Sequence, residues 1–245
     1  MSEPRIRSLP KVKAPYDLNN FPEGVIESIG RQLVGLIAVG ADRLEGPDWE
    51  KLFAAAIDAD WHPTNNGLTD VRKDNCAWSA KTVKNTNPFN AATVRLISGR
   101  NSLDFSYQES NVRSLPPEEV GRMVLAIWNR RLADMRTQFE HLRTVVLIKH
   151  NDFRRFALFE FETVAYEPSA FRWSWNSNSN LVGHSFEGKH RFTWQPHGSQ
   201  FTVVEDVPAT RRRFQIHLPP TFEVITIEQV LDQLGFDPTW IQIVS

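Results

Sequence analysis

The chain has little of several features that mark specialised proteins. It has one cysteine in 245 residues, so no intrachain disulfide can form, and one chain cannot build a thiolate zinc site or an iron–sulfur cluster. Its 28 basic and 29 acidic residues nearly cancel, which argues against a surface coated in positive charge but allows a local basic groove. With 41% hydrophobic and 23% charged residues, the composition is that of a globular chain rather than a disordered or collagen-like one.

Long hydrophobic runs are also missing. The longest, Leu33–Ala41, is interrupted by two glycines and covers about half of the roughly 20 residues that a membrane helix needs. Residues 1–18 carry basic residues and prolines without an apolar stretch, which is unlike a secretory signal and predicts an N-terminal arm. We therefore expect no membrane partner and a cytoplasmic location.

Most catalytic signatures are absent too. The sequence contains no phosphate-binding G-x-x-x-x-G-K-[ST], no dinucleotide-binding G-x-G-x-x-G, no H-E-x-x-H and no G-x-S-x-G nucleophile elbow. His184, His190 and His197 match no zinc-binding spacing. Any chemistry must therefore come from a less conspicuous set of residues.

Hydrophobic periodicity predicts an α/β fold with a mixed central sheet flanked by helices. The predicted helices cover residues 19–39, 47–59, 116–142 and 226–235. The predicted strands cover 68–72, 76–83, 93–98, 103–107, 144–149 and 156–164, followed by short aromatic strands over 171–218. We expect a catalytic core at 19–165 and a β-rich recognition portion with a closing helix at 166–245, within one continuous domain.

Three charged residues stand out in the order helix, strand, strand. Glu50 falls near the start of a predicted helix, Asp70 on the first strand of a predicted hairpin and Lys81 on the second. Side chains alternate along a strand, so Ser79 and Lys81 share a face, and hairpin pairing can bring Asp70 and Lys81 to one edge. Two carboxylates and an ammonium are the minimum for metal-assisted phosphodiester hydrolysis: Asp70 would bind a divalent cation and Lys81 would orient or help deprotonate the attacking water.

The sequence around these residues resembles the core of PD-(D/E)XK nucleases, particularly type II restriction endonucleases. The matching segments are W-E-K-L-F at 49–53, G-L-T-D-V at 67–71 and A-W-S-A-K-T at 77–82. In that superfamily a helix glutamate, a strand aspartate and an acid-x-lysine assemble around magnesium. The resemblance implies a restriction-endonuclease-like fold for the mixed central sheet and its flanking helices. It also implies catalytic roles for Glu50, Asp70, Ser79 and Lys81, and Mg²⁺ held by Asp70, Glu50 and the Ala80 carbonyl.

Two positions depart from the family pattern. Thr69 stands where proline is usual, and Ser79 stands where the second acid is usual. The serine removes one metal ligand. The resemblance also implies double-stranded DNA as substrate, cleavage at a short sequence, and a homodimer that cuts both strands.

Polar residues near the C-terminal half could read DNA. Arginine and lysine reach phosphates or guanine, asparagine and glutamine can pair with adenine, and a β-ribbon with an exposed turn fits the major groove. The candidate DNA-binding residues are Lys84, Arg172, Asn176, Asn178, Lys189, Arg191, Gln195, His197, Ser199, Gln200, Arg211, Arg212 and Arg213. Against this, aromatic residues in alternating strands are usually core, and Asn-Ser clusters are usually hairpin turns.

Three functions therefore stay open. The first is a magnesium-dependent site-specific endonuclease. The second is a non-catalytic DNA-binding or accessory protein with the same fold, in which Ser79 marks lost metal affinity. The third is a β-rich protein that binds a small ligand or another protein through its aromatic strands.

Overall fold

Two β-sheets and five α-helices form the part of the chain that the computed structural model describes, residues 13–63 and 68–242. The mixed α/β class agrees with the sequence prediction. Most of the predicted arm at 1–18, and Gly67 in the nuclease-like segment, lie outside the described residues. No helix in these ranges is both long and apolar enough to cross a bilayer.

The helices differ in length and position from the prediction in several places. Their bounds are α1 Val25–Ala38, α2 Gly46–Ala56, α3 Leu103–Tyr107, α4 Pro117–Arg136 and α5 Ile227–Leu234. The start of α2 is fixed by a capping box, in which the Glu45 amide donates to Asp48 Oδ2 at 3.1 Å, followed by Pro47 in the first turn. This cap places Glu50 within the helix.

Eleven strands build the two sheets. They are β1 Asp60–Trp61, β2 Val71–Lys73, β3 Cys76–Lys84, β4 Thr93–Arg100, β5 His141–Lys149, β6 Arg155–Glu162, β7 Phe171–Trp175, β8 Leu181–Ser185, β9 His190–Gln195, β10 Gln200–Asp206 and β11 Arg212–Gln215. The first sheet has the order β1-β2-β3-β5-β6-β11 and the second the order β4-β10-β9-β8-β7. Each sheet takes strands from both sides of residue 165, the predicted boundary between the core and the β-rich portion.

The pairing of β3 positions the candidate site. On one side β3 pairs with β5 in parallel along its whole length, with Ser79 opposite Thr144. On the other side the antiparallel pairing with β2 reaches only from Lys73 to Val71, which lies opposite Trp78. The second half of β3 thus extends past β2.

The helices cover different faces of the sheets. Helices α1 and α2 bury Leu33, Phe53 and Trp78 in one core against the first sheet. Helix α4 lies between the sheets: Val124 packs in the core of the second sheet, and Leu132 packs against the first. The candidate strand β3 therefore has a helix layer on one face and the second sheet on the other.

One predicted strand and two predicted helix bounds were wrong. Residues 103–107, predicted as a strand, form α3, because the Ser102 side chain caps a helix by accepting from the Phe105 amide at 3.2 Å. Helix α4 ends at Arg136 rather than 142, since the apolar residues beyond it belong to the turn and to β5. Helix α1 begins at Val25 rather than 19, after Gly24 adopts a positive φ of 81°.

Candidate active site

Asp70 lies at the open edge of β3, immediately before β2. It is buried, with 3% of its surface exposed. Its Oδ2 accepts a hydrogen bond of 3.1 Å from the Ala80 amide, two residues beyond the last β2–β3 pair. Its own carbonyl accepts from the His62 amide at 2.8 Å. The Asp70 carboxylate therefore takes the place of the next strand partner of β3, while the main chain of Asp70 is held by His62.

Lys81 completes an ion pair with this carboxylate. Its Nζ lies 3.8 Å from Asp70 Oδ2, and its side chain is 22% exposed. Burial raises the pKa of Asp70, the Lys81 ammonium lowers it and the charge of Glu50 raises it again. Burial and Glu50 thus oppose ionisation of the Asp70 carboxyl, whereas the Lys81 ammonium favours it. Opposing influences of this kind are common at functional sites.

Glu50 approaches from α2. The Trp61 indole Nε1 in β1 donates a hydrogen bond of 3.0 Å to Glu50 Oε2, and Lys51 Nζ lies 4.4 Å from the centre of the Trp61 ring. These contacts tie the helix to the outer strand of the sheet. Glu50 is thereby held in a position from which its charge raises the pKa of Asp70.

Ser79 and Lys81 face away from the α1–α2 layer, as strand alternation predicts. Both side chains line a narrow cleft between the sheets, together with Thr144, Thr163 and Tyr166. The hydroxyls of Thr144 and Thr163 lie 2.8 Å apart and are buried. These threonines were not among the predicted site residues. Their position as hydroxyl residues near the ends of otherwise apolar predicted strands could have pointed to them.

The donor set fits a largely hydrated magnesium ion rather than a complete protein cage. The amide and carbonyl of one strand residue point to the same side, so the Ala80 carbonyl is directed toward the edge where its amide meets Asp70. Together with Asp70 and Glu50 it supplies three oxygens, and Mg²⁺ commonly uses one or two carboxylates and several waters. The described residues hold no group of three or more His, Cys, Asp or Glu placed to bind a metal.

Several candidate DNA-binding residues are engaged within the chain. Arg191 Nη2 lies 3.0 Å from both carboxylate oxygens of Glu205, and Lys189 pairs with Asp206. Arg211 and Arg213 both donate to the Phe89 carbonyl. The Phe89 carbonyl thus serves as an acceptor within the chain for two of the three consecutive arginines.

Other candidates shape turns. Asn176 Oδ1 accepts from the amides of Asn178 and Asn180, each at 3.0 Å, which closes the β7–β8 turn. In the β9–β10 hairpin, Gln195 lies opposite Gln200. Its turn carries an exposed His197 and a Ser199 with φ of 56°.

Three candidate cations lie apart from these turns. Arg172 is exposed on β7 and lies 5.1 Å from the Phe186 ring centre, and Arg212 is exposed on β11. Lys84 lies opposite Lys149 in the β3–β5 register, three residues from Lys81 and hence on the other face of the sheet. The structure therefore does not gather the predicted DNA-binding residues into one surface with the Asp70–Lys81 pair.

The aromatic strands fill a core. Trp173 stacks on Phe192 at 5.6 Å between ring centres, and Phe192 stacks on Phe201 at 5.6 Å. All three residues pack against α4.

Comparisons with known proteins add no relative. The chain matches no protein-family model, no curated protein and no solved structure. Its function must therefore be argued from the geometry of the site.

Proposed function

We propose that the chain hydrolyses phosphodiester bonds of double-stranded DNA in the presence of Mg²⁺, as a site-specific endonuclease of the restriction type. The observation that carries the proposal is the contact of Asp70 Oδ2 with Lys81 Nζ at 3.8 Å and with the Ala80 amide at 3.1 Å. This is the carboxylate–ammonium pair that the chemistry requires, at the partly open edge of a strand.

Each residue has a distinct role in this proposal. Asp70, Glu50 and the Ala80 carbonyl hold the ion, and Lys81 orients the attacking water and offsets negative charge on the phosphate. The Ser79 hydroxyl, on the same face as Lys81, provides a hydrogen bond for the ordered water in place of the second acid of the family motif. A bound divalent cation supplies polarisation of the phosphate and a lower pKa for its water.

Recognition of a short duplex sequence is assigned to exposed residues of the second sheet and of β11, the edge strand of the first sheet. The β9–β10 turn with His197 and the exposed Arg172 can reach base edges, and the exposed Arg212 can reach a phosphate. A homodimer would cut both strands of a palindromic site.

Ser79 favours a second candidate function, a DNA-binding or accessory protein without catalysis. Without the usual second acid, Asp70 and Glu50 are the two carboxylates of the site. Ser79, which replaces that acid, is 2% exposed. Replacing Ser79 by Asp separates the candidates. If the site has lost its metal, the Ser79→Asp protein gains a Mg²⁺-dependent rise in Tm that the wild-type protein lacks.

A cleavage assay tests the main proposal. Purified protein is incubated with mixed-sequence plasmid DNA, with Mg²⁺ or with EDTA, and the products are sized. We expect discrete fragments with Mg²⁺, and a loss of about 10²-fold or more in rate for Asp70→Asn and Lys81→Ala, the scale of a lost acid–base or electrostatic group.

Two surface variants serve as matched controls. Glu27→Gln and Arg31→Ala each remove one partner of the exposed ion pair on α1 and should cleave at the wild-type rate. Equal cutting by the Asp70 and Lys81 variants, or no cutting by the wild-type protein at any divalent metal concentration, would overturn the proposal.

A further inference from the structure

A basic groove lies between α3 and α4. It includes neither the Asp70–Lys81 pair nor any of the predicted DNA-binding residues. This groove, here called the α3–α4 groove, is lined by Arg100, Phe105, Tyr107, Ile127, Arg130 and Arg131. Phe105 is 90% exposed and Tyr107 45%. Phe105 and Tyr107 line the same groove, and exposed apolar residues that lie together, unlike single scattered ones, mark a binding surface.

The cations in and beside the groove come from two elements, β4 and α4. Arg100 is exposed at the end of β4, Arg130 is exposed on α4, and Arg122 is exposed two turns earlier on the same face of α4, with only Ala126 between them. Arg130 also pairs with Asp134 at 3.0 Å. An exposed pair of this kind is weak, so a phosphate can compete for the arginine.

Arg131 connects the groove to the candidate site. Its Nη1 donates to the Ser98 carbonyl at 3.1 Å and to Asn101 Oδ1 at 3.2 Å. Ser98 in turn lines the cleft that Ser79 and Lys81 enter. One strand, β4, therefore has the cleft beside Ser98 and the groove beside Arg100.

We propose that the α3–α4 groove binds a single-stranded stretch of nucleic acid, with an unpaired base stacked on Phe105 and its phosphates on Arg100 and Arg130. Arginines alone would suit any polyanion, but exposed aromatic rings among them fit unstacked bases, which every nucleotide offers. A duplex hides its base faces and would leave Phe105 in water. The inference rests on the proposed function for its link to cleavage: it makes the substrate a duplex that carries an unpaired segment beside the cut.

Binding to a fluorescent oligothymidylate of about 16 nucleotides, in EDTA so that no cleavage occurs, tests this inference. We expect Phe105→Ala to weaken binding at least about fivefold, the lower end of the effect of one stacked base, and Arg100→Ala to reduce the steepness of the salt dependence. Because Phe105 is exposed, its replacement leaves the core intact.

The matched controls are Phe186→Ala, which removes another exposed ring (58%) beside the predicted DNA-binding Arg172, and Arg31→Ala on α1. Both should bind the oligothymidylate as the wild-type protein does. Unchanged binding by Phe105→Ala, or a greater loss in Phe186→Ala, would overturn the inference.

Failure of this inference is distinguishable from failure of the proposed function. If Asp70→Asn loses cleavage while Phe105→Ala binds single strands as the wild type does, the nuclease proposal holds and the groove is not a binding site for single strands. Weakened single-strand binding in Phe105→Ala with no cleavage by any variant would do the reverse.

Discussion

The Arg143 guanidinium and the Glu160 carboxylate form an ion pair of 3.0 Å in the interior of the first sheet, with side chains 3% and 0% exposed. Glu160 also accepts hydrogen bonds from the Trp78 indole at 2.9 Å, the Tyr16 hydroxyl at 3.1 Å and the Asn19 amide at 2.8 Å. The segment before α1 is thereby fastened to the face of β3 opposite to Ser79 and Lys81.

Replacing Glu160 by Ala should lower the free energy of unfolding by about 3 to 5 kcal/mol, because it leaves the Arg143 charge buried without its partner. Urea denaturation followed by tryptophan fluorescence measures this loss. Glu162→Ala is the matched control, since Glu162 meets Arg143 at 3.7 Å but is 37% exposed and should cost no more than about 1 kcal/mol. Similar losses in the two variants would show that burial does not govern this pair.

Asp70 should make the protein less stable as pH rises. Its folded-state pKa lies above the ordinary 3.8, chiefly because of burial, so ionisation is harder in the folded than in the unfolded chain. Its contribution to stability is full below about pH 3.8 and is lost as pH rises through the folded-state pKa. Asp70→Asn, whose amide oxygen can still accept from Ala80, should therefore be more stable than wild type at pH 7.

Thermal unfolding of both proteins between about pH 3 and 8 checks this expectation. The difference in Tm should shrink as the solution becomes acidic. A less stable Asp70→Asn protein at pH 7 would mean that the ion pair with Lys81 outweighs the cost of burial. Either outcome is separate from the effect of the variant on cleavage.

Gly121 makes room for a tryptophan of the second sheet. A Cβ at this position of α4 would lie 2.3 Å from the Trp173 ring, so Gly121→Ala should destabilise the protein by about 1 to 3 kcal/mol through overpacking. At Gly35 in α1, an added Cβ would meet nothing within 4 Å. Gly35→Ala should stabilise by about 0.5 to 1 kcal/mol, the helix propensity of alanine. Chemical denaturation of both variants measures these opposite signs.

Arg191 and Arg212 should respond differently to truncation although both were predicted to bind DNA. Arg191 is held by Glu205, which also accepts from the Tyr166 hydroxyl at 2.8 Å, so Arg191→Ala should cost about 1 to 3 kcal/mol of stability. Arg212 is exposed on β11, so Arg212→Ala should leave stability unchanged and lower the salt slope of duplex binding by about one. Binding titrations at several salt concentrations, with melting curves of the same proteins, separate the two roles. A duplex salt slope lowered by Arg191→Ala alone would contradict this assignment.

Local signals predicted much of the first sheet. The residues around Pro47 predicted the start of α2, and two β-like segments joined by the short turn at 73–75 predicted the hairpin. Leu103–Tyr107 shows where such signals fail: its apolar residues suit a strand, but the Ser102 cap and the position of Leu103 in the core beside α4 decide for a helix. The same holds for the end of α4, where apolar spacing continues past the helix into β5.

The sequence by itself determined that Ser79 and Lys81 share a face, because side chains alternate along any strand, and that an acid lies just across a short turn from them. The structure places this acid immediately before β2 rather than on it. Only the tertiary structure decided which charged side chains are already bound by other parts of the chain and which are exposed to a partner. Arg191 meets Glu205 and Arg211 meets the Phe89 carbonyl because distant segments fold beside them, and Phe105 stays in water because none does. Periodicity fixes the direction of a side chain, whereas its partners come from residues far away in the chain.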